Sequence, residues 1–67
     1  MKFEEFEKRI RERGYGIAAM NHYSLNGKQY TFCVVLSKND DKAFRAEAES
    51  SEEVFEILFN KITEAES

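Results

Sequence analysis

Sixty-seven residues, of which 42% are hydrophobic and 13% aromatic, supply one small core and no second domain. Ten Lys and Arg stand against thirteen Asp and Glu, and the resulting formal charge of −3 argues against a partner held through phosphates. No apolar run approaches the roughly 18 residues of a bilayer span, the early acids Glu4 and Glu5 are wrong for a signal peptide, and the lone Cys33 excludes an internal disulfide. A single domain over residues 1–67 is expected, soluble and cytoplasmic, without membrane, cofactor or metal.

Over residues 2–13, Phe3, Phe6 and Ile10 recur at helical spacing on an otherwise charged segment, with Glu4, Glu5 and Glu7 early and Arg9, Arg11 and Arg13 late. This predicts an amphipathic helix whose charges suit its dipole and form i,i+4 pairs. Gly14 supplies a left-handed stop. From residue 15 to 37 the period becomes two around Asn26-Gly27, a type I′ hairpin signal. That turn sets Leu25 opposite Lys28, Tyr23 opposite Tyr30, Asn21 opposite Phe32, Ala19 opposite Val34 and Ile17 opposite Leu36. These residues make the expected core face, with Asn21 as its one polar member.

A third strand over residues 43–49 alternates Phe44, Ala46 and Ala48 with Arg45, Glu47 and Glu49, and pairing Leu36 with Phe44 gives all three strands one core face. Ser50 and Glu53 then fit a capping box. The helix over residues 51–64 carries Val54, Phe55, Leu58, Phe59 and Ile62 on one broad stripe, with Ile57 off its edge. The expected fold is α+β: helix, three-stranded antiparallel meander, helix, with both helices on one face of the sheet.

Charge is divided unevenly. Residues 1–39 carry a net +3 and residues 40–67 a net −6, so the C-terminal part suits a protein partner with a basic surface. Helix, three strands, helix is also the order of the double-stranded-RNA-binding domain. Where that domain needs a lysine cluster at its second helix, this chain has Ser50-Ser51-Glu52-Glu53, which repels a phosphate backbone, so no direct nucleic-acid binding is expected.

Catalysis finds little support. His22 is the sole histidine, and although the expected register leaves it diagonal to Cys33, no oxyanion cradle accompanies them. His22, Cys33, Glu47 and Glu49 match no metal-ligand spacing, and the glycines form no phosphate loop. The same register leaves Ala18, Met20, Cys33 and Val35 as an apolar cluster on the uncovered sheet face, bordered by His22 and Arg45. That surface invites a protein partner or a second copy in a homodimer.

The run Thr31-Phe32-Cys33-Val34-Val35, the Asn39-Asp40-Asp41 turn, Ala46-Glu47-Ala48-Glu49-Ser50-Ser51-Glu52-Glu53 and the pair Phe55/Phe59, taken with the element order, resemble small phage-encoded anti-CRISPR proteins that inhibit the DNA-cutting nuclease of type II systems. Members of that group act as acidic mimics of DNA. The resemblance implies a non-enzymatic inhibitor that occupies the nucleic-acid-binding surface of a host protein, with Asp40, Asp41, Glu47, Glu49, Glu52 and Glu53 as its acidic edge. A homodimer associating through the open face or edge of the sheet is the alternative.

Overall fold

The computed structural model describes residues 1–39 and 41–66. The chain runs α1 (Phe3–Glu12), β1 (Tyr15–Leu25), β2 (Lys28–Ser37), β3 (Ala43–Ala48) and α2 (Ser51–Glu66). The strands form one antiparallel sheet in the order β1-β2-β3, and both helices contact it. This is the α+β layout that the sequence periodicities predict.

Two of the expected pairs form in α1, between Glu5 and Arg9 at 2.7 Å and between Glu7 and Arg11 at 3.4 Å. They are exposed, so their contribution is small. The helix stabilises chiefly by burying Phe6 and Ile10. Gly14 ends it at φ +87°, and the Lys38 amide donates to the Gly14 carbonyl at 2.6 Å, fastening the exit from α1 to the end of β2.

Asn26 and Gly27 both take positive φ, 52° and 79°, as a type I′ turn requires. The pairing from Leu25/Lys28 back to Ala19/Val34 follows from that turn. Beyond Ala19 a bulge at Ala18 shifts the ladder, so Ile17 lies opposite Val35 rather than Leu36.

A larger departure lies between β2 and β3. Phe44 pairs with Val35, Ala46 with Cys33 and Ala48 with Thr31, one residue away from the expected register. Because side chains alternate between faces, a slip of one exchanges them completely. Cys33 and Val35, expected on the open face, are fully buried beneath the helices, and Thr31 is buried with them. Met20 and His22, their ladder neighbours, turn to the helix side as well.

Two causes fix this arrangement. The first is the loop after β2. Ser37 Oγ accepts the amides of Asp41 and Lys42 at 3.2 Å each and donates to the Asp41 carboxylate at 2.7 Å, while the Ser37 amide donates to the Lys42 carbonyl. This closes the turn with Leu36 opposite Ala43. The second cause is volume. The helices bring Phe6, Ile10, Phe55, Leu58 and Ile62 inward, and small partners such as Cys33, Val35 and Ala46 let them approach to interior density, where a layer of aromatic strand residues would not.

At the start of α2 the Glu53 amide donates to Ser50 Oγ at 3.2 Å, the hydroxyl half of the expected cap. Val54, Phe55, Leu58 and Ile62 are buried, and Phe55 stacks on Phe6 with ring centroids 4.6 Å apart. Phe59, half-buried, carries the guanidinium groups of Arg9 and Arg13 over its ring at 5.7 and 5.0 Å. No helix among the described residues is long and apolar enough to cross a membrane.

Candidate interaction face

Exchanging the faces of β1 and β2 moves the large apolar strand residues outward. Thr31, Cys33 and Val35 point inward, so Tyr30, Phe32, Val34 and Leu36 point away from the helices. Their ladder partners Tyr23, Asn21 and Ala19 lie beside them on β1, with Ala43, Arg45 and Glu47 on β3. Among the described residues, neither helix covers this side. Asn21, the polar exception on the expected core face, therefore stands in solvent and needs no buried partner.

The exposed aromatics are organised. Tyr23 and Tyr30 stack across the strand pair with centroids 5.5 Å apart at 24°, so Tyr30 is only partly accessible while Tyr23 remains 37% exposed. The Tyr23 phenol is pushed up to about 12, mainly because the Glu47 carboxylate accepts its hydrogen bond, with desolvation and the charges of Glu47 and Tyr30 adding to the effect. Tyr23 on β1 and Glu47 on β3 thus interact across β2 on the uncovered side of the sheet. Glu47→Gln is expected to return the Tyr23 ionisation toward the ordinary tyrosine value of about 10, measured by ultraviolet titration of phenolate absorbance. An unchanged titration would remove Glu47 as the cause.

The acidic positions divide into two groups. Asp41 lies in the loop after β2, where the Ser37 hydroxyl holds its carboxyl below the usual carboxylate range. At the other end of β3, Glu49 meets Lys28 at 3.8 Å, and Glu52 and Glu53 occupy the first turn of α2. The six residues of β3, about 20 Å of strand, separate the groups. Arg45 interrupts the row, and Lys61 lies against β3 with its Nζ donating to the Arg45 carbonyl at 2.7 Å. Asp40 lies outside the described residues. Glu47 lies on the open face opposite Phe32 and Glu49 follows at that end of β3, whereas Glu52 lies on the helix side, in the cleft with Met20 and His22.

The remaining expected residues scatter. Ala18 is the bulge residue and is exposed. His22 Nδ1 meets Thr31 Oγ1 at 3.0 Å in a cleft shared with Phe3, Met20 and Phe55. Cys33 lies on the same side of the sheet but inside the core, where desolvation pushes its thiol up and keeps it protonated. Among the described residues, no three His, Cys, Asp or Glu side chains gather to hold a metal ion.

Tyr23, Tyr30, Phe32, Val34 and Leu36 are the surface residues that sequence reasoning placed inside. Asn21 in their midst was the available signal, since an amide in a core without a partner is costly. No protein-family model, curated protein or solved structure matches the chain.

Proposed function

We propose that this chain is a non-enzymatic protein-binding module that docks through the uncovered face of its sheet. The observation that carries the reading is the row Tyr30, Phe32, Val34 and Leu36, joined by Tyr23, on a face without a covering layer. Aromatic anchors grouped in this way are what protein interfaces use. Glu47 lies on that face and Glu49 at its end, so the fitting partner has an apolar patch beside a basic rim. A protein whose basic surface ordinarily holds nucleic acid meets that description, and occupying that surface would inhibit it.

Capture of partners from the source cell tests the proposal. Phe32→Asp combined with Val34→Asp is expected to lose the retained protein while the circular dichroism of the variant stays native. Glu47→Lys with Glu49→Lys is expected to weaken retention and to flatten its fall as salt rises, because the attraction that salt screens has been removed. A partner held equally well by the Phe32/Val34 variant would overturn the docking face. Indifference to the Glu variants would remove the basic-rim part alone.

A further inference from the structure

The two edges of the sheet differ. In a two-residue hairpin the closing pair exchanges both backbone bonds, and such pairs alternate along the ladder. Leu25, Tyr23, Asn21 and Ala19 therefore bond inward to β2, leaving the N–H and C=O groups of Ser24, His22 and Met20 directed away from the sheet. The same alternation directs the Arg45 carbonyl outward from β3, where Lys61 Nζ donates to it at 2.7 Å. The β3 edge is thus capped by an ammonium group at its centre, a common guard against strand addition.

The β1 edge has no such guard over most of its length. Tyr15–Leu25 contains no Asp, Glu, Lys or Arg, in a chain of which 34% is charged. Every residue from Ala18 to Leu25 is exposed. The register shift at Ala18 is confined to the start of the strand, which leaves residues 19–25 as a regularly paired, uncharged edge about 23 Å long.

We propose that this edge pairs antiparallel with the β1 edge of a second copy, joining two three-stranded sheets into one. A second copy fits for reasons of symmetry and charge. About a two-fold axis at His22, Met20 meets the partner's Ser24 and Ser24 the partner's Met20, so the outward groups are self-complementary and form about six backbone hydrogen bonds. Two chains of net charge −3 repel wherever their acidic surfaces meet, and β1 is the stretch along which they can approach without opposed charges. The pairing also sets two aromatic faces edge to edge. Where its three strands run together, one face spans only about 14 by 20 Å, small against the roughly 800 Å² per partner of a standard interface, and the dimer doubles it. This last advantage rests on the docking reading, whereas the pairing itself does not.

Sedimentation velocity over a range of concentrations tests the edge without any other protein. The wild-type chain is expected to sediment as a dimer at high concentration, with amide exchange at Met20, His22 and Ser24 slowing as concentration rises. His22→Lys combined with Ser24→Lys is expected to weaken the dimer at least about 100-fold, through like charges set against each other. Ser24→Pro, which removes one outward amide without touching the His22–Thr31 contact, should also weaken it. Val34→Glu, on the open face, should leave it intact. A wild-type monomer at every concentration overturns the proposal, as does a dimer indifferent to both edge variants. Dissociation by Val34→Glu would overturn it by moving the contact to the open face. None of these results depends on partner capture, so the docking reading can fail separately.

Discussion

Phe55→Ala is expected to cost the chain a large part of its stability. The ring is 2% exposed, stacks on Phe6 at 4.6 Å and meets Phe3 at 6.1 Å, so truncation opens a cavity where both helices and the sheet converge. Substitutions of this kind cost about 3–5 kcal/mol. A domain of 67 residues has on the order of 3–10 kcal/mol in total, and the lone Cys33 can form no internal disulfide to offset the loss. Urea unfolding followed by circular dichroism measures the effect. A loss below about 1 kcal/mol would show that the Phe6/Phe55 stack is not central to the core.

The second large effect separates neighbouring residues. Val35→Glu places a carboxylate at a position with no accessible surface and no basic side chain among its core neighbours, at a cost of several kcal/mol whether the group ionises or takes a proton. Unfolding without denaturant is expected, and the enclosed Cys33 thiol should then react with a thiol reagent at the rate of a free cysteine. Val34→Glu, one residue earlier and on the open face beside Arg45, should fold and keep Cys33 protected. If the two variants exchanged outcomes, the sheet would face the other way.

That contrast marks where the sequence stops being readable. The helices were legible because their stripes are unambiguous: Phe6 and Ile10, then Val54, Phe55, Leu58 and Ile62, fall inside as the 3.6-residue period requires. The hairpin was legible because Asn26-Gly27 dictates both turn type and register. The parity of β2 was not. Tyr30, Phe32, Val34 and Leu36 read as a better core face than Thr31, Cys33 and Val35, and periodicity cannot weigh the bulk that the helices bring against it. The deciding residues are Ser37 and Asp41, whose hydrogen bonds set the loop length through contacts that leave no hydrophobic pattern. The bulge at Ala18 was hidden in the same way. The acidic positions were easy to find one by one, but their division between two ends of β3 required the fold.

The loop closed by Ser37 has a further consequence for the folding landscape. Since both faces of β2 are apolar, the chain carries two nearly matched burial patterns, and the competing one keeps every helix, every strand and the Asn26-Gly27 turn. What separates the native basin from its inverted rival is a one-residue offset, set by the Ser37 hydroxyl in a solvent-exposed turn together with the bulk the helices bring against β2, rather than by the amount of apolar surface hidden. Turn chemistry and side-chain volume here choose between two global states, and the hydrophobic face left outside is the surviving trace of that choice.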